Sequence, residues 1–158
     1  MDKTEREKAQ RVIADNRKAR HDYHFVELFE AGIALFGTEV KAIREGRVNL
    51  RDSFARVEND EVFVYGIHIS PYSHRGYTDH EPTRRRRLLL HRAEIRKLIG
   101  KTAERGFTLV PSQMYLKNGR VKLSIALARG KQAHDKRETI RRREAERETR
   151  AAIKERRA

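Results

Sequence analysis

Cysteine is absent from the 158 residues, which excludes a disulfide framework, a thiol nucleophile and a cysteine zinc site. A reducing cytoplasmic setting fits that absence. Apolar residues are scarce at 37%, against roughly 45–50% in ordinary globular chains. No apolar run approaches the roughly 20 residues that span a bilayer, so no membrane-spanning segment is expected. The opening MDKTEREKAQ is charged throughout, so no secretory signal is expected. No glycine-rich phosphate loop occurs, since Gly100 and Gly106 lack the spacing, and no serine sits in a nucleophile elbow. His21 and His24 are three apart, and His68, His74 and His80 are scattered. None of the seven histidines has metal-ligand spacing, so no metal is expected.

What the chain has is positive charge. Lys and Arg number 37 against 23 Asp and Glu, a net +14. A surplus of that size on a short chain points to a polyanionic partner, nucleic acid before membrane. Residues 1–24 carry +2, residues 25–128 carry +6 and residues 129–158 also carry +6. In that last stretch only Ile140 and Ile153 are large and apolar, so it cannot bury a face. The expected organisation is a basic N-terminal segment over 1–24, a barrel over 25–130 and a basic tail over 131–158.

The middle segment reads as mainly β. Asn118-Gly119 favours a type I′ turn, pairing Leu116 with Val121 and Met114 with Leu123. Val121, Leu123, Ile125 and Leu127 then alternate on one face. A second strand is expected from Val62 to Ile69, and a third from Phe25 to Phe36, interrupted at Ala31-Gly32. Pro111 places its strand at an edge or in a bulge. Thr38 to Glu45 reads as a helix with Val40 and Ile43 inward and Gly46 as its stop. His91 to Ile99 reads as another, ended by Gly100. Strands with short inserted helices predict a closed or partly open barrel of the OB type, a common RNA-binding fold. The tail carries Glu138/Arg142 and Glu146/Arg150 at helical spacing, which predicts a segment disordered alone or helical against a polyanion.

Asn16, Arg17, Lys18, Arg20 and His21 precede Tyr23, a pattern that fits phosphate contacts beside a stacking ring. Tyr23 equally fits the packing of the first strand. The run Arg84-Arg85-Arg86-Arg87 fits phosphate binding or a solvated loop.

Four blocks occur in order: NRKARHDY (16–23), FEAGIALFGTEVKAIREGRVNLRDSF (29–54), PTRRRRLLLHRAEI (82–95) and GKQAHDKR (130–137). In these the chain strongly resembles the bacterial SmpB family (small protein B, SsrA-binding protein) over nearly its whole length. The resemblance implies a protein without catalytic activity or cofactor. It would bind transfer-messenger RNA, escort it to stalled ribosomes and so direct the tagging of unfinished polypeptides. Elongation factor Tu with GTP would join through the RNA. The tail would fold in the decoding centre and the empty message channel, and the protein would be a cytoplasmic monomer.

By position, Glu30 falls on the family's RNA-contacting glutamate and Leu89 on the middle leucine of the LLL block. His91 stands where some members have Asn, and either side chain donates and accepts hydrogen bonds. Lys122 and Lys131 complete the implied RNA-binding set. His134, Asp135, Lys136 and Arg137 match the ribosome-engaging motif, with Ile153 and Lys154 further along the tail. Two departures stand out: Gln132 replaces a common second lysine, and Thr38 stands where Trp is frequent. From the residues alone, Glu30 fits a surface turn residue, and the family match favours a base contact. Other readings are a ribosomal or initiation-type OB protein, and an RNA-processing enzyme using His21 or His134 as acid–base.

Overall fold

The computed structural model describes residues 10–71, 80–131 and 133–157. Along the chain run β1 (Gln10–Asp15), α1 (Arg17–Asp22), β2 (Tyr23–Ile33), α2 (Gly37–Arg44), β3 (Val48–Asn49), β4 (Phe54–Glu58) and β5 (Glu61–Tyr65). Then follow β6 (His68–Ile69), β7 (Arg86–Leu89), α3 (Arg92–Ala103), β8 (Phe107–Lys117), β9 (Arg120–Gly130) and α4 (Ala133–Arg157). The molecule is mainly β. Six strands in the order β8-β4-β5-β7-β2-β9 form a ring, which closes because β9 also pairs with β8. β1 adds to β8 outside the ring, and β3 pairs with β6 separately.

The β8–β9 hairpin forms because Asn118 (φ 51) and Gly119 (φ 77) take the left-handed conformations that a type I′ turn needs. The expected register holds: Leu116 faces Val121 and Met114 faces Leu123. Leu123, Ile125 and Leu127 point into the ring and are almost wholly buried. They meet Leu109 and Met114 of β8, Val62 and Val64 of β5, and Phe29 and Ala31 of β2. Pro111 sits at a bulge, as one of the two expectations had it, and not at an edge. β8 pairs with β1, β4 and β9. A residue without an N–H is tolerated there because the ladder is already interrupted.

Three boundaries differ from expectation. β2 runs unbroken through Ala31-Gly32 and stops at Ile33. Gly32 suits the close crossing of β7: an added Cβ would lie 3.2 Å from the Cβ of Leu89, a tight contact. The expected strand from Val62 to Ile69 divides at Gly66 (φ +79), so β5 and β6 belong to different sheets. Gly100 does not stop α3, which continues to Ala103, because Gly100 does not take the left-handed conformation of a helix-ending glycine.

α2 ends as expected at Gly46 (φ +76), and the Arg47 N–H returns to the Ala42 carbonyl at 3.0 Å. Its inner face carries Ala42 and Ile43, with Val40 half-buried. Thr38, at the position where Trp is frequent, has its hydroxyl 3.0 Å from His80 Nδ1. The tail, for which disorder was expected in the chain alone, is the helix α4. α4 leaves Ile140 and Ile153 44% and 48% exposed.

Candidate nucleic-acid interface

Alternation along β2 turns Phe29, Ala31 and Ile33 inward, leaving Leu28, Glu30 and Gly32 on the outer face. Cross-strand register then assembles that face. Gly32 lies opposite Leu89 of β7 on one side and Lys122 of β9 on the other. Tyr115 of β8 lies opposite Lys122. Glu30, Leu89 and Lys122, separated by up to 92 positions in the chain, therefore share one surface. Leu89 is half exposed, and Val26 and Leu28 extend the apolar strip.

Glu30 is oriented by two neighbours. The Tyr115 hydroxyl donates to Oε2, and Lys117 Nζ donates to Oε1 at 3.2 Å. The Tyr115 bond is the largest influence and holds the carboxyl below its ordinary range; partial burial works against it, and Lys117 and Lys122 add to the lowering. The Tyr115 phenol is pushed well up, first by burial and then by the bond to Glu30. The outcome is a fixed, ionised acceptor with spare lone pairs at the rim of a cationic, partly apolar face. Such a group repels phosphate and accepts from the N–H edge of an unstacked base. Sequence reading missed Tyr115 and Lys117. Their i,i+2 spacing before Asn118-Gly119 puts them on one strand face, but only the β2–β9 pairing brings Glu30 beside them.

The N-terminal block takes a different role from the one expected for part of it. Asn16 is buried, not available to RNA: its Nδ2 donates to the carbonyls of Leu50 (3.2 Å) and Pro111 (2.8 Å), and its Oδ1 accepts from the Ala19 N–H. It caps α1 and pins it to the ring. Arg17 is exposed. Lys18 pairs with Asp52, Arg20 with Asp15 at 2.6 Å, and His21 Nδ1 lies 3.0 Å from Asp22. Tyr23 is half-buried against Ala19, Val110, Ala126 and Ala128, which is the packing alternative. It still lines a cavity of about 390 Å³ with Lys18, Asp52 and Phe54.

His91 is exposed at the start of α3, where its N–H donates to Glu94 Oε1 at 3.2 Å. It follows β7 two residues after Leu89, at the end of the Glu30 face. Lys131 is half-buried, and its N–H donates to the Asp22 carbonyl at 2.9 Å. Arg137 and Ile153 are exposed on α4. His134, Asp135, Lys136 and Lys154 lie along the same helix; their side chains are outside the described residues, as are Gln132 and His74.

The arginine run is divided between core and surface: Arg85 and Arg87 are about half exposed, and only Arg86 is lost to the interior. Arg86 is fully buried on β7, and all four side chains pair with carboxylates: Arg84 and Arg86 with Glu39, Arg85 with Glu58, Arg87 with Glu61. His80 is also internal, with Nε2 2.9 Å from the Ile69 carbonyl. Among the described residues no cluster of histidines and carboxylates is placed to hold a metal.

A family model described as SmpB protein matches residues 13–155. The SsrA-binding protein of Halothermothrix orenii is 59% identical over 146 residues, covering 92% of this chain and 94% of that protein. The SsrA-binding protein of Trichodesmium erythraeum is 58% identical over 147 residues, with the same coverage. A solved structure described as "tmRNA-SmpB: a journey to the center of the bacterial ribosome" matches at TM-score 0.66 and 47% identity, covering 82% of this chain and 94% of that one.

Proposed function

The chain belongs to the SmpB family, and we propose that it binds transfer-messenger RNA and delivers it to stalled ribosomes for rescue and peptide tagging. The carrying observation is the outer face of β2, β7, β8 and β9, where an oriented, ionised Glu30 stands between Leu89 and the lysines Lys117 and Lys122. The cations bind phosphate, and Leu89 with Leu28 offers apolar surface to unstacked bases. Glu30 accepts from a base edge. Affinity is therefore spread over many charges, and selectivity rests on few residues.

The protein acts as a cytoplasmic RNA-binding adaptor without a catalytic role, as a monomer whose ring, residues 25–130, holds the RNA. Residues 1–24 join that ring, and residues 131–158 engage the decoding centre and the empty message channel. Elongation factor Tu with GTP joins through the RNA. Two features support this reading: a tail helix with no apolar face to bury, and a net +6 on residues 129–158. No helix among the described residues is long and apolar enough to cross a membrane.

The test is sequencing of RNA that co-purifies with the protein, followed by incubation of the pure components. Enrichment of transfer-messenger RNA, retained intact, supports the adaptor. Enrichment of ribosomal RNA alone, or cleavage of the bound RNA, refutes it.

A further inference from the structure

Most cations whose partners have been named are neutralised by carboxylates. Three arginines at one corner of the ring are not. Arg11 on β1, Arg44 in the last turn of α2 and Arg120 at the start of β9 are exposed, with no carboxylate partner among the described residues. Arg11 Nη2 donates to the Arg44 carbonyl at 3.3 Å, and Arg44 Nη2 donates to the Gly119 carbonyl at 3.3 Å. These two bonds tie β1, α2 and the tip of the β8–β9 hairpin into one cluster. Register puts Arg120 opposite Lys117, the residue that holds Glu30, so Arg120 shares that face, whereas Arg11 lies opposite Leu116 and reaches the hairpin end from the other face of the sheet.

A neutral carbonyl orients a guanidinium without cancelling its charge. Each arginine has five N–H donors, so most of those on Arg11 and Arg44 stay directed at solvent. Oriented, uncompensated guanidinium groups suit phosphate, which they grip by parallel N–H···O bonds. The fully paired Arg84–Arg87 run lacks that property.

We infer that Arg11, Arg44 and Arg120 form a phosphate-binding corner that grips the RNA backbone beside the Glu30 face. The inference rests on the RNA-binding reading and assigns this corner the part of the affinity that is indifferent to sequence. Each phosphate contact releases counterions and steepens the salt dependence of binding.

The experiment titrates potassium chloride against binding of two probes, transfer-messenger RNA and an unrelated transfer RNA, by the full chain. The variant Arg11→Gln/Arg44→Gln/Arg120→Gln should flatten the log–log salt slope by roughly 2–3 for both RNAs. It should bind each at least tenfold more weakly at low salt and keep their affinity ratio. Arg85→Gln/Arg87→Gln, altering paired arginines, should leave the slope unchanged. If the triple variant unfolds, Arg120→Gln alone should flatten the slope by roughly 1. Unchanged slopes on both RNAs would overturn the corner. A parent that prefers neither RNA, with slopes that still flatten in the variant, would sink the transfer-messenger RNA reading and leave the corner standing.

Discussion

Arg86 on β7 donates from Nε to Glu39 Oε2 of α2 at 2.5 Å, and both side chains are wholly buried. Arg84 Nη2 takes the other carboxylate oxygen at 2.5 Å, and the Phe36 N–H also reaches it at 2.8 Å. Arg86 further donates to the carbonyls of Ile67 (2.8 Å) and Pro82 (3.1 Å). Burial pushes Glu39 up and Arg86 down. For Glu39 the bonds from Arg84, Phe36 and Arg86 outweigh burial and hold its carboxyl below the ordinary value. This network fastens α2 to β7 and spaces the elements that flank the Glu30 face.

Glu39→Gln should therefore strand a buried guanidinium. Breaking one side of a buried pair costs about 3–5 kcal/mol. Urea unfolding should show a loss of that order, whereas Arg85→Ala, whose partner Glu58 is nearer the surface, should lose about 0–1 kcal/mol. Equal losses would show that the buried pair adds nothing.

The same carboxyl sets an acid limit. Its folded pKa lies below the 4.5 of the free group. Its contribution is fully present above 4.5 and drains away as pH falls through the lower folded value. Below pH 4.5 the parent should lose stability more steeply than Glu39→Gln, which has no proton to take up. Parallel curves in that window would remove Glu39 from the acid transition.

Glu30→Ala should weaken transfer-messenger RNA binding and leave the fold intact, because the residue is exposed. A hydrogen bond to a charged group is worth roughly 1.5–3 kcal/mol, about ten- to a hundredfold in affinity. Tyr115→Phe should give a smaller loss, by freeing the carboxylate from one orienting bond. Parent-like binding by Glu30→Ala would return Glu30 to the role of a surface residue.

Asn16→Ala should destabilise without a specific RNA defect. It removes the cap of α1 and leaves the carbonyls of Leu50 and Pro111 without their donor. The expected cost is about 1–3 kcal/mol in thermal or urea unfolding. A binding loss at unchanged stability would place Asn16 on the RNA instead.

A chain ending at Gly130 should unfold with the parent, since α4 buries little. It should bind transfer-messenger RNA with near-parent affinity and fail in ribosomal peptide tagging. Full tagging would exclude the tail from the mechanism, and lost RNA binding would place it in the primary site.

Local chemistry made part of this molecule readable from its residues. Asn118-Gly119 dictates a I′ turn, alternation from Val121 to Leu127 puts those side chains on one strand face, and Gly46 can end a helix where β-carbons cannot follow. The excess of cations, and the scarcity of large apolar residues after Gly130, needed no coordinates. The four family blocks brought Glu30 and Leu89 into view one by one, and Lys122 lies outside them. What local pattern did not contain was the company each side chain keeps. Asn16 looked like a polar surface residue because nothing near it in sequence reveals the carbonyls of Leu50 and Pro111. Four consecutive arginines looked solvated because their counter-charges, Glu39, Glu58 and Glu61, arrive from other elements. Gly32 looked like an interruption until β7 crossed it. Burial and ion pairing depend on which strands become neighbours, and in a closed ring most neighbours are distant in the chain. The residue types and their spacing therefore set the elements and the charge, while closure of the ring decided which charges remain free to meet RNA.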